Sequence, residues 1–329
     1  MTAGLAWGLG ALPVAGVASL ITASNAVPGV LPPSAVVVAG VAVARVLLVG
    51  AITATLGLNV LPLLFSPREQ AVTTPARLRA YRAGGWTALC WMVCAIASVY
   101  LQTADLAGTS SITAGELGTY VSRFGSGQSL AGQVVVAAVA IAAAASGARS
   151  GTMLAARILV LCSVAGLLLL VAAGHAGEAS EQWHDMATVS LELHVFAAAL
   201  WTGGLGAIVM LLAADRALLS RALPRYSPLA TGCLAVVGVS GLLNAAVALS
   251  AKPGTSLLSE LLTTDYGRLV ILKAGCLCAL ACIGGHIRFR LLPAIRQAHR
   301  TSVALWGCFE LGIMGVAFGL AAVLGRSAA

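Results

Sequence analysis

The chain has 329 residues, 59% hydrophobic and only 9% charged, with a formal charge of +8 and a mean hydropathy of +0.96. A soluble domain carries about 25% charged residues, so this composition excludes a soluble globular protein. The basic excess does not point to nucleic acid, because Lys and Arg fall in short clusters between apolar stretches, which is the pattern that sets topology in a membrane.

Nine stretches are long enough to cross a hydrocarbon core as helices: roughly residues 4–24, 34–62, 84–104, 129–147, 153–173, 189–213, 227–250, 268–288 and 303–324. None shows the alternation of a membrane barrel, and a helix satisfies its own backbone in lipid. The expected fold class is therefore all-α, a polytopic membrane helix bundle of about nine transmembrane helices. It divides into a four-helix region over 1–150 and a five-helix region over 151–329. The first stretch ends in small residues, Ala23, Ser24, Asn25 and Ala26, as a cleaved signal would, but Met1 to Gly10 carries no Lys or Arg. A retained helix is the expectation. Runs such as AAVAIAAAAS at 137–146 and the glycines at 203, 204, 206, 238 and 241 permit close helix packing.

Basic residues sort to one side of these stretches. Arg68, Arg77, Arg79, Arg82, Arg149, Arg157, Arg216, Arg221, Arg225, Arg288, Arg290, Arg296 and Arg300 share that side, against Arg123, Lys252, Arg268 and Arg326 opposite. The positive-inside rule then predicts a cytoplasmic N-terminus, an external C-terminus and an outward-facing loop at 175–185. All eight cysteines fall within the apolar stretches, which argues against a disulfide framework and for small buried hydrophobes. The pairs Cys90/Cys94 and Cys278/Cys282 each share a helix face.

Chemistry concentrates between His175 and Leu205, where GHAGEASEQWHD feeds into LELHVFAAALWTGGL. His194 lies about 8 Å into its helix from the outer side, at 1.5 Å per residue. Lys273 and Asn244 come to a similar depth on two other helices, and His175 caps a fourth. Imidazole suits copper and zinc, and carboxylates at a mouth attract cations. The candidate metal ligands are accordingly His175, His184 and His194, with Glu178, Glu181, Asp185 and Met186 as secondary or entry groups. Glu192, Trp201, Asn244, Lys273 and Glu310 are candidate supporting or gating groups. His194, Ala198, Trp201 and Leu205 share a face, whereas Glu192 points about 200° away from His194. Glu310 and Arg45, each well inside an apolar stretch, call for polar partners on adjacent helices, each other among the candidates. His286 and His299 lie among arginines and read as solvated.

Residues 165–325 resemble the copper resistance protein D family of integral membrane proteins. The resemblance rests on GHA at 174–176, LHVFAAALWTGGL at 193–205, TTDYGRLVILK at 263–273, RFRLLP at 288–293 and the Glu310-bearing last helix. Such proteins in actinobacteria are often fused to a following cytochrome oxidase assembly domain of the CtaG type, and this chain resembles the N-terminal half of such a fusion. The resemblance implies a copper ion as the bound species, copper uptake, transport or resistance at the plasma membrane, and a transporter or metal-binding protein rather than an enzyme. The implied partners are membrane lipid, copper and a copper chaperone or oxidase assembly domain. Carried over by position, the copper-handling residues are His175 and His194. The scarcity of external Met and Cys favours capture of Cu(II) by His and carboxylate over thioether capture of Cu(I).

A different class is also consistent. The His before AAALWTGG and the Lys after YGRLVIL are similar to features of HemJ-type protoporphyrinogen oxidases, which would make His194 an axial ligand of haem b and Lys273 a haem or substrate partner. A non-catalytic cytochrome oxidase assembly factor is the third reading.

Overall fold

A computed structural model describes residues 35–109, 111–172, 184–250, 261–296 and 302–327. Among these residues the structure is helical and contains no strand. Eight helices are long and apolar enough to cross a membrane, which agrees with a polytopic helical bundle. The first expected span, 4–24, lies outside the described residues. The helices are α1 (Ala35–Val60), α2 (Gln70–Ala107), α3 (Ala114–Arg123), α4 (Gly125–Ser150), α5 (Met153–Ala172), α6 (His184–Leu212), α7 (Arg216–Ser250), α8 (Asp265–His286), α9 (Leu292–Arg296) and α10 (Val303–Ser327). All but the short α3 and α9 are spans.

Two helices outrun the apolar stretches that announced them. The first, α2, begins at Gln70 rather than near 84, and α7 begins at Arg216 rather than near 227. Their polar N-terminal segments carry side chains that find partners at the end of the bundle that carries Glu69. Arg225 donates to the Glu69 carboxylate at 2.6 Å and to the Leu64 carbonyl at 2.9 Å, tying α7 to the α1–α2 connection. That guanidinium, helped by the Ser66 backbone N–H, holds the Glu69 carboxyl below its ordinary range. Arg77 and Tyr81 of α2 donate to the carbonyls of Gly151 and Thr152, where α4 ends. Gly151 there has a φ of 66°, the left-handed conformation that closes a helix without a Cβ clash.

Hydropathy gave no sign of α3, an amphipathic helix. It is set by a capping box in which Thr113 and Glu116 satisfy each other's backbone N–H groups, and by Tyr120, which is buried and bonds to Gln102 at 2.7 Å.

Side chains pack into two apolar cores. The first joins Leu48, Ile52 and Leu56 of α1, Trp91 of α2, Ala140 of α4 and Leu159 of α5. The second joins Trp201, Leu205 and Ile208 of α6, Tyr226 of α7, Leu280 of α8 and Leu311 of α10. Both α1 and α6 serve both cores, since Leu58 of α1 enters the second, with Leu61 of the turn that follows it, and Ala199 the first. These two helices cross so closely that a Cβ added to Gly57 would sit 1.9 Å from the Gly203 carbonyl carbon, and one added to Gly203 would sit 2.2 Å from the Thr53 carbonyl oxygen. Small residues at this crossing let the backbones approach, as helix packing in lipid requires. The obstructing atoms are backbone and cannot rotate away. Gly57→Ala is expected to lower stability by about 3 kcal/mol, read as a lower thermal midpoint in detergent. Gly232→Ala, which meets open space, should leave the midpoint in place.

Candidate functional site

His194 stands six residues past Thr188, where the apolar span of α6 begins, about 9 Å along the helix. Its ring meets α7. Nδ1 lies 3.0 Å from the Ser240 hydroxyl, and a Cβ on Gly241 would come to 3.3 Å from Cε1, so the glycine makes room for the imidazole. Ser190, one turn earlier on α6, donates to the Ser240 carbonyl.

The Ser240 contact decides the tautomer. A serine hydroxyl has one proton, and that of Ser240 goes to the Val236 carbonyl at 2.5 Å. With its proton engaged there, the hydroxyl is placed to accept from His194 Nδ1, the tautomer in which Nε2 carries the lone pair. An imidazole whose second nitrogen is anchored in this way is the form that ligates metals. Lys273 of α8 is near enough for its charge to act on His194, and it has Cys276 beside it. Asn244 follows Ser240 by one turn on the same face of α7. Met186 is half exposed and borders an apolar groove between α6 and α7 that runs over Val189, Leu193, Val236 and Ser240.

The structure thus brings together His194, Lys273 and the Asn244 face of α7. Glu192 lies away from them, as its angle on the helix predicts, in a cleft between α5 and α6 beside Val164, Leu167 and Phe196. His175, Glu178 and Glu181 lie outside the described residues, as do the side chains of His184 and Asp185 in the first turn of α6. Among the described residues, no three His, Cys, Asp or Glu side chains gather as a metal site.

A second polar cluster lies seven residues further along the same face of α6, about 10 Å from His194. Trp201 Nε1–H donates to Glu310 Oε1 at 3.0 Å, and the Tyr226 hydroxyl donates to the Trp201 carbonyl at 2.5 Å. Gly204 admits the Tyr226 ring, which a Cβ there would meet at 2.5 Å. Glu310 therefore pairs with Trp201 rather than with Arg45, which faces outward from α1. The pairing has a simple reason. Glu310 points into the second core, where α6 and α7 supply its neighbours, and the exposed face of α1 is turned elsewhere.

Sequence reasoning missed Ser240 and Tyr226. Ser240 precedes Asn244 by one turn and was legible from that spacing, whereas Tyr226 sits between Pro224 and Pro228, residues that suggest a loop yet lie inside α7. Removing the indole donor leaves the carboxyl buried without its bond. Trp201→Phe is expected to cost about 1–3 kcal/mol, measured as a fall in the thermal midpoint of the purified protein.

Residues 33–185 match the family model for the copper resistance protein D-like N-terminal domain, and residues 220–324 match that for copper resistance protein D. Among curated relatives, the Copper transport protein CutJ of Bacillus subtilis (strain 168) is 30% identical over 145 residues, which is 42% of this chain and 25% of that protein. The match thus spans a quarter of the relative's length. No solved structure matches. With both halves of the bundle matched in the expected order, and with eight apolar spans to carry them, the chain belongs to the copper resistance protein D family of multi-pass membrane proteins.

Proposed function

We propose that this protein binds copper at the end of the bundle where α6 begins and passes it across the plasma membrane for uptake or copper homeostasis. The observation that carries the reading is the orientation of His194. Ser240 holds Nδ1 and leaves Nε2 open as a ligand, on the helix that leads inward from the histidine- and carboxylate-rich stretch 175–185. The family's copper resistance description and a relative described as a copper transport protein supply the metal. In this reading His175 and His184 join His194 as ligands, and Glu178, Glu181 and Asp185 gather cations at the mouth. Nitrogen and oxygen donors of this kind suit Cu(II).

Purified protein is expected to bind copper. His194→Ala should abolish that binding, Ser240→Ala should weaken it about 10- to 100-fold by releasing the ring, and Ser240→Thr, which keeps the hydroxyl, should preserve it. Binding undiminished in His194→Ala would sink the assignment. The haem reading draws on the joint placement of His194 and Lys273. The described residues suit it in kind, offering one imidazole beside an apolar groove. A Soret band with sub-stoichiometric copper in the same preparation would decide for it.

The proposed site faces outward, because the arginines of the Glu69 end assign that end to the cytoplasm. A cysteine introduced by Ser180→Cys should react with an impermeant reagent on intact cells. Reaction only after permeabilisation reverses the orientation.

A further inference from the structure

We infer that Glu310 is a proton-binding site in the middle of the bundle and that copper passage is coupled to it, an inference that rests on the copper reading above. Glu310 is 3% exposed, in the core formed by α6, α7, α8 and α10. It receives one hydrogen bond, from Trp201, and Arg225, next to Tyr226 on α7, is taken up by the Glu69 carboxylate at 2.6 Å.

Among the described residues the bonded partner of Glu310 is the neutral Trp201, and no cationic side chain pairs with it. From α6 it meets Trp201, whose carbonyl takes the hydroxyl of Tyr226 of α7, and Cys233 of α7 neighbours that tyrosine. On α8, His286 lies tilted against Trp306, one turn from Glu310, with ring centroids 4.5 Å apart, while Lys273 acts on His194 and Cys276. From α1 and the turn after it the same core receives the apolar Leu58 and Leu61.

A bare carboxylate with one N–H donor and no cation is costly in hydrocarbon, and ionisable groups kept there mark ion or proton paths. A proton removes that cost when no cargo is present. A copper ion moving inward from His194 brings positive charge down the same face of α6. The carboxylic O–H then breaks, its proton leaves to the aqueous phase, and the carboxylate remains to compensate the arriving cation. No oxidation or reduction is involved. Trp201 stays within reach of both forms, donating to whichever oxygen lacks the proton.

The test uses the full chain in proteoliposomes with a pH-sensitive dye inside and the membrane potential clamped. Copper entry is expected to be accompanied by proton movement, and a gradient of one pH unit should drive about tenfold accumulation per proton exchanged. Glu310→Gln should still bind copper and exchange it across the vesicle wall, yet lose gradient-driven accumulation, while Glu310→Asp should retain it. Accumulation undiminished in Glu310→Gln, or wild-type copper movement indifferent to the gradient, would overturn the inference and leave the copper reading standing. A wild-type protein that neither binds nor moves copper removes both. If Glu310→Gln does not survive purification, the infrared C=O stretch of a protonated carboxyl in the wild type decides. A band lost on copper addition supports the inference, and a band that ignores copper overturns it.

Discussion

In hydrocarbon a polar group has no water to fall back on, so the polar side chains of this bundle turn to a carbonyl of their own helix or to a partner on a neighbouring one. That constraint explains the pairing in the first core, where Trp91 donates to Gln133 at 2.8 Å and Gln133 donates in turn to the Gly166 carbonyl. It explains Thr55 of α1 against Thr87 of α2 at 2.8 Å and, within α1 itself, Asn59 donating to the Thr55 carbonyl. In the second core the same demand links His194 to Ser240 and Trp201 to Glu310. Each pair that joins two helices fixes the rotation of both at once, because neither partner can turn away without leaving a donor or acceptor bare.

Close helix approach is the second ingredient, and glycine supplies it where the cores meet. At the Gly57–Gly203 crossing the two backbones touch, which lets α1 and α6 belong to both cores. Gly166 receives the Trp91 ring and Gly204 the Tyr226 ring, so the largest side chains of each core lie against the barest backbone of the next helix. Dispersion between well-fitted surfaces stabilises such contacts where the hydrophobic effect does not act between helices.

From these two features α6 acquires its character. One of its faces carries a histidine near its start and an indole two turns deeper, each bonded to a different helix. The opposite face, with Glu192, turns to α5. Along α6 from its N-terminal end, the His194 imidazole comes first and then the indole that bonds the buried Glu310 carboxyl. That order is a property of helix periodicity combined with the placement of α7 and α10.

Much of this was legible from sequence because the underlying physics is local. Apolar runs of about 20 residues must span, and such spans must be helices, so the bundle and its membrane location followed from composition and hydropathy. His194, Trp201 and Leu205 were assigned one face, and Glu192 another, from the 3.6-residue repeat alone. Short-range rules end where partners come from distant parts of the chain. That Glu310 meets Trp201 across 109 residues rather than Arg45, that Ser240 selects the His194 tautomer, and that α2 and α7 extend through polar and proline-bearing turns were decided by packing. The reason is that a buried polar group is satisfied by whatever the tertiary fold brings within 3 Å of it, and hydropathy carries no record of that neighbour.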